Sequence, residues 1–240
     1  MKKLAILCLI VLGVACKKNE VDTGTQSLGK RLVSLTANNK PQYTFVYKNN
    51  LLTKENYFGF CETNPTDEYS YEYKGNLLYK ITMKSRSLYS STLALCNPEM
   101  GVLSEEIFEY DKTGKLVKIS RLNDVVTEFV YDTKGRVEKQ LIKNGQNTSV
   151  TTFEYDARDN IVQLNNPDGS VVIYEYDNHP NPYYYMNQRP GWISAFNKSP
   201  NNVIKATGGS NFTRVFTYAA DGFPEKVLEN NGISYTYNYE

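Results

Sequence analysis

The apolar positions of this chain fall into one short pattern: an aromatic residue, any residue, then tyrosine. Eight regularly placed pairs of this kind run along it, namely Phe45/Tyr47, Tyr71/Tyr73, Phe108/Tyr110, Phe129/Tyr131, Phe153/Tyr155, Tyr174/Tyr176, Phe216/Tyr218 and Tyr237/Tyr239. Successive second members are 26, 37, 21, 24, 21, 42 and 21 residues apart. The base period is near 21, and the step of 42 reads as two periods with one degenerate copy.

Residues two apart point to the same face of a strand. The residue between the rings is often polar, as at Glu72, Glu109, Glu154, Glu175, Thr217 and Asn238, with Val46 and Val130 the departures. That alternation predicts strands with one buried and one wet face. Turn chemistry follows directly. "YDKTGK" and "YDTKGR" place Asp111 and Asp132 at the first turn position and Gly114 and Gly135 three later. Asp there accepts backbone N–H groups ahead of it, and Gly takes the positive φ on leaving the turn. "YDARDN" keeps Asp156 and puts Asp159 in the glycine place, where a left-handed Asp is tolerable. "YKNNL" and "YKGNL" are two residues shorter and predict tight hairpins. Leu77, Leu116, Val137 and Ile161 are expected to point inward on the returning strand. The pairs at Asn144, Asp168 and Asn231, each followed by Gly, then turn the chain into the next unit.

Burying two rings does not offset the entropy of ordering about twenty residues, so neighbouring units must stack and share their aromatic face. The expected fold is all-β: a meander of antiparallel hairpin repeats forming a large, strongly twisted or rolled sheet. Its tyrosines and turn aspartates are structural.

"FEYDKTGKLVKI" and "FVYDTKGRVEKQ" resemble the YD repeats of RHS-type proteins and of smaller YD-repeat bacterial lipoproteins of unknown function. The resemblance covers most of residues 43–240 and is diluted in the early copies. It implies a β-rich repeat architecture. Large RHS proteins coil their repeats around a C-terminal toxin. This chain is too short for that shell, so the toxin role is not carried over. "NPDG" at Asn166–Gly169 is similar to the self-cleavage region of that family but falls between two repeat strands, as a turn.

The repeat breaks over residues 179–211, which hold the only His, the only Trp and the run Tyr183, Tyr184, Tyr185. Pro180, Pro182, Pro190 and Pro200 argue against a regular central strand there. Two readings stand side by side. Trp192, Ile193 and Phe196 plug an open end of the rolled sheet, or Tyr183, Tyr184, Tyr185 and Trp192 contact a ligand.

"MKKLAILCLIVLGVA" has a basic start, an apolar run and a small-residue exit, the layout of a secretion signal over residues 1–15. The apolar run is far shorter than a membrane span of about 18 or more residues. "GVAC", Gly13 to Cys16, resembles the lipobox of bacterial lipoproteins, with Gly13 where that family usually has Leu. The resemblance implies lipid attachment at Cys16; plain secretion with Cys16 unmodified is the alternative. Residues 16–28 then form a polar tether of roughly 20 Å mean span, and residues 29–240 the repeat domain. Location is expected at the outer membrane through the lipid, on either side of it. Two cysteines remain, Cys61 and Cys96. An exported pair predicts a disulfide, with two buried thiols as the alternative. A separation of 35 residues fits no metal-ligand pattern.

Composition adds mainly exclusions. From Cys16 onward the chain has 25 Lys and Arg against 26 acids, so net charge gives no case for nucleic acid. One His supplies neither a metal-binding His pair nor a triad, and no Gly-rich phosphate loop or G-x-S-x-G occurs. Adjacent carboxylates such as Glu105 and Glu106 point to opposite faces of a strand. No catalytic residue, cofactor or metal is assigned. The leading expectation is a non-enzymatic, lipid-anchored envelope protein with a scaffold or binding role, its partner an envelope protein or a glycan. An exposed coplanar aromatic pair in the insert would favour a carbohydrate or peptidoglycan binder. Two close carboxylates in a cleft would favour a glycan-processing enzyme. Repeat strands of five to seven residues are too short for the about 9 to 11 of a membrane barrel.

Overall fold

The computed structural model describes residues 30–59, 63–86, 100–186, 193–209 and 211–240. Cys16, Cys61, Cys96 and Trp192 lie outside them, and so do the signal and tether. Among the described residues sixteen strands follow one another, each paired antiparallel with the next. They are β1 (Leu32–Ala37), β2 (Lys40–Lys48), β3 (Leu51–Tyr57), β4 (Asp67–Lys74), β5 (Leu77–Ser85), β6 (Gly101–Tyr110), β7 (Leu116–Arg121) and β8 (Val126–Tyr131). The second half comprises β9 (Val137–Asn144), β10 (Asn147–Tyr155), β11 (Ile161–Asn165), β12 (Val171–Pro180), β13 (Asn201–Gly208), β14 (Phe212–Tyr218), β15 (Pro224–Glu229) and β16 (Ser234–Tyr239). The sheet does more than roll. β16 pairs with β1, and the meander closes into a barrel. Closure removes both sheet edges and leaves no unpaired template for aggregation.

The turns form as their chemistry dictates. Asp132 Oδ1 accepts the N–H groups of Lys134 and Arg136, both at 2.9 Å, and Gly135 takes φ +83°. Asp156 does the same for Arg158 and Asn160, with Asp159 left-handed at φ +66°.

A register shift recurs just before the second tyrosine of each pair. Glu109 faces Lys118 but Tyr110 faces Leu116, so Val117 is the extra residue of a β-bulge. The same step occurs at Val46/Tyr47, Glu72/Tyr73, Val130/Tyr131, Glu154/Tyr155, Glu175/Tyr176 and Thr217/Tyr218. Because of the bulge, inward residues of the returning strand sit three apart rather than two: Leu78 and Ile81, Leu116 and Ile119, Ile161 and Leu164. It also corrects one sequence expectation. Leu77 is 39% exposed, and Leu78, at 4%, is the inward residue of its hairpin. The two-residue Gly75–Asn76 turn spends Leu77 on pairing with Lys74.

The seam between β16 and β1 repeats this geometry. Tyr239 faces Leu32 and Asn238 faces Ser34, with a shift between, as in the seven hairpins named above. Arg31 and Glu240 exchange two backbone hydrogen bonds of 3.0 Å where a turn would otherwise lie. Eight units thus close on themselves, and the first and last described strands meet at the seam.

The step of 42 residues is not a degenerate copy. All eight aromatic pairs sit on even-numbered strands, and β12, β13 and β14 continue the meander without loss. The irregular stretch is shorter than 179–211: β12 runs to Pro180 and β13 begins at Asn201. Pro180 and Pro200 stand at strand ends, where a missing ladder donor costs nothing, rather than abolishing the strands, and Pro190 lies outside the described residues. Strand lengths also exceed expectation, reaching ten residues in β6 and β12.

Candidate functional site

The interior is aromatic, and the exterior carries charged side chains beside exposed apolar ones such as Val46, Val130 and Val215. Phe108, Phe129 and Phe153 are buried, while Glu109 and Glu154 face outward. Cross-strand pairs decorate the outer wall: Lys80 with Glu105 at 2.5 Å, Lys118 with Glu109 at 2.7 Å, Lys143 with Glu128 at 2.7 Å and Lys205 with Glu175 at 2.6 Å.

Half-buried tyrosines tie each unit to the one before. The hydroxyls of Tyr47, Tyr73, Tyr110, Tyr131, Tyr155, Tyr176 and Tyr239 donate to the backbone oxygens of Leu32, Leu52, Leu78, Leu116, Val137, Ile161 and Pro224. Burial keeps these phenols protonated and raises their pKa, to about 12 for Tyr110 and Tyr131. Tyr218 is the exception. It donates to the carboxylate of Asp177, and the His179 ring stacks on it at 3.7 Å. That exchange marks the root of the insert.

Between β12 and β13 the described residues 181–186 and 193–200 enter the lumen with two short helices, α1 (Pro182–Met186) and α2 (Ala195–Lys198). Pro182 opens α1, where its missing N–H is harmless. Asn181 caps it, accepting the Tyr183 N–H at 3.1 Å. The buried Asn181 amide also donates to Phe196 O at 2.6 Å and Ser199 O at 2.9 Å, clamping both helices. Ser194 caps α2 through the Asn197 N–H. Ser199, fully buried, accepts the Ile161 N–H at 3.0 Å and donates to the Tyr176 hydroxyl at 2.9 Å. Asn160 stands where other units carry Lys115 or Arg136. It donates to Asp156 at 3.0 Å and Asn201 at 3.1 Å, and accepts the Asn201 N–H. Ile193 and Ala195 join the core, and Phe196 packs against it. For these residues the plug is what the structure displays.

The plug does not fill the barrel. Against β1, β2, β3 and β14–β16 it leaves a cavity of about 430 Å³. Tyr43, Phe45, Tyr235 and Tyr237 form the wall, and Tyr183, Met186, Phe196 and Lys198 the plug side. Three charged side chains line it: Glu55, Lys198 and Arg214. Glu55 is buried and accepts the Tyr71 hydroxyl at 2.8 Å. Arg214 pairs with Glu229 at 2.6 Å and lies 4.7 Å from the ring centres of Phe196 and Phe212. Burial lowers the Lys198 amine to about 8 and pushes the Tyr183 phenol well above its ordinary range.

Of the insert residues singled out in the sequence, Tyr183 faces this cavity and meets Tyr237 edge-on at 6.4 Å. Tyr184 is exposed, and Tyr185 is half-buried against Phe223. Their rings stand at 90° to each other, so these two form no flat platform. Glu55, Lys198 and Arg214 escaped sequence reasoning. A signal existed for Arg214, which lies two residues before the inward Phe216. Among the described residues no group of His, Cys, Asp and Glu could hold a metal ion.

No protein-family model matches the chain, and no curated protein matches it. Solved structures do. A porin-like protein from Bacteroides uniformis aligns with a TM-score of 0.42 and 13% identity, over 87% of this chain and 98% of that one. The Photorhabdus luminescens Tc holotoxin pore aligns at 0.33 and 14%, over 82% of this chain but 9% of its own. TcdB2-TccC3-TEV aligns at 0.32 and 15%, with 82% and 9% covered.

Proposed function

We propose that this chain is a non-enzymatic binding protein of the bacterial envelope, lipid-anchored at Cys16, with the lumen cavity as its ligand site. One observation carries the reading. A stack of eight units that needs only stability would close its lumen with apolar side chains. Here the insert instead leaves about 430 Å³ walled by aromatic rings and faced by Glu55, Lys198 and Arg214. Apolar walls with few polar groups are the usual build of a small-molecule site. The cavity suits a compact, largely apolar or aromatic ligand with at least one polar group.

The test uses the mature chain with Cys16→Ser and 8-anilinonaphthalene-1-sulfonate as probe. Saturable one-to-one fluorescence enhancement is expected, lost in Asn197→Trp, which fills the cavity, and unchanged in Tyr184→Ala on the outside. Equal binding by all three proteins, or none by the parent, overturns the lumen reading. Anchoring is tested separately: Cys16→Ala must lose membrane partition, and retention removes the lipid from the proposal.

A further inference from the structure

The lumen cavity is lined by hydrogen-bond donors that the barrel itself does not use. Tyr235 and Tyr237 stand two apart on β16, turn to the same face and both line the cavity. Tyr183 of α1 meets Tyr237 edge-on from the plug side. Among the described residues no acceptor bonds these three hydroxyls. The bond that Tyr131 and its six equivalents make to a backbone oxygen has no counterpart here. Five of the eight aromatic pairs carry Phe in the place of Tyr237. Where Tyr71 holds that place, its hydroxyl donates to Glu55 at 2.8 Å.

Arg214 adds a fourth donor. Its Nε and Nη2 both donate to Glu229 Oε1, at 2.8 and 2.6 Å, and Asn231 donates to the other carboxylate oxygen at 3.1 Å. Glu229 and the rings of Phe196 and Phe212 hold the guanidinium and leave Nη1 unspent. Ladder pairing sets Arg214 opposite Glu229 and Tyr235 opposite Val227, two residues apart on β15, so the guanidinium and the β16 phenols share one stretch of wall. Burial raises the pKa of all three phenols, and the Arg214 charge acts on each in the opposite sense. The lining holds two bases, Lys198 and Arg214, to one acid, Glu55.

We infer that the cavity takes a carboxylate carried on a compact, ring-sized apolar body, its oxygens accepting hydrogen bonds from Tyr183, Tyr235, Tyr237 and Arg214. The inference rests on the lumen-binding reading and names the ligand class of that site. A carboxylate is acceptor-only, with about four lone-pair positions, and so matches a set of donors. An ammonium group is donor-only and would leave those donors and itself unpaired. Bonds from phenols and a guanidinium to an anion are of the strong, charge-assisted kind. A hydroxyl that bonds nothing within the protein contributes no hydrogen bond to its stability, so stability and binding separate at Tyr237 and Tyr183.

The test uses the mature chain with Cys16→Ser and two ligands with one ring body and opposite polar groups, 2-naphthoate and 2-naphthylmethylammonium, titrated calorimetrically near neutral pH. Naphthoate should bind at least about tenfold more tightly than the ammonium. Tyr237→Phe and Tyr183→Phe should each weaken naphthoate about tenfold without lowering the urea midpoint. Tyr131→Phe should do the reverse, lowering the midpoint and leaving naphthoate affinity unchanged. Equal affinity for the two ligands overturns the carboxylate, and so does naphthoate binding that neither cavity variant weakens. A urea midpoint that falls in Tyr237→Phe and Tyr183→Phe as it does in Tyr131→Phe also overturns it, because those hydroxyls would then serve the fold. In each of these cases a parent that still binds anilinonaphthalene sulfonate, with the binding lost in Asn197→Trp, keeps the lumen reading. A parent that binds neither anilinonaphthalene sulfonate nor naphthoate removes the two together.

Discussion

The hydroxyl of Tyr131 donates to the backbone oxygen of Leu116 at 2.6 Å, fastening one hairpin to its predecessor. Six other tyrosines make the equivalent bond, so ring burial and hydrogen bonding can be separated at a single position. Tyr131→Phe keeps the ring and should cost about 1 to 2 kcal/mol, the value of a buried hydrogen bond. Tyr131→Ala removes the ring as well and should cost about 3 to 5 kcal/mol. Glu154→Ala, on the wet face, should cost under about 0.5 kcal/mol. Chemical denaturation ranks the three, and equal losses would contradict the inward and outward assignment.

Asn181 holds the plug from a buried position through three hydrogen bonds. Asn181→Ala leaves the oxygens of Phe196 and Ser199 without that amide and should cost about 2 kcal/mol or more. The effect should be local. Amides of Asn197 and Lys198, which bond to Ser194 O, should exchange faster, while Phe129 on β8 stays protected. Uniform deprotection of plug and wall would show that the insert is part of the barrel's cooperative unit.

The barrel's repeat was legible because each unit carries its own signals: Phe129 and Tyr131 two apart, Asp132 at the turn, Gly135 leaving it. What escaped depends on partners far along the chain. Closure pairs β1 with β16, about 200 residues apart, and β1 has no aromatic pair to announce it. The bulge was hidden because it shifts Leu78 inward without changing the residue types around it. It also explains why Glu55 went unseen. Three residues after Leu52, it takes the inward place that Ile81 and Ile119 hold in their units. Strict alternation by two cannot find that position. The insert was recognised by its prolines, yet its bounds were too wide, since a proline at a strand end and one within a strand look alike in sequence.

Cys61 and Cys96 lie in the β3–β4 and β5–β6 connections, which leave the same end of the barrel. The described ends of these connections are joined: Arg86 N–H donates to Thr66 O at 2.9 Å and Arg86 Nε to Pro65 O at 2.8 Å. This contact between the described ends is compatible with the disulfide expected for an exported pair. Closing 35 residues should contribute about 3 to 4 kcal/mol. Non-reducing peptide mapping of exported protein should recover one linked peptide. Recovery of both as free thiols would refute the bridge.

Lys198 and the buried tyrosines together set a stability maximum in alkaline solution. Burial holds the folded Lys198 amine at about 8, below the 10.5 of an ordinary lysine. Between those values the unfolded chain binds a proton that the folded chain has released. Stability therefore rises with pH from about 8 towards 10, by on the order of 2 kcal/mol. The tyrosines act in the opposite sense. Burial lifts Tyr110 and Tyr131 to about 12, so above about 10 the unfolded chain loses phenolic protons that the folded chain keeps, and stability falls. The maximum should lie near pH 10. Lys198→Met should abolish the rise while preserving the fall, because only the amine's contribution is removed. Urea titrations of both proteins at half-unit steps from pH 7 to 11 give the comparison. Parallel curves for parent and variant below pH 10 would mean that the folded Lys198 amine titrates like an exposed one.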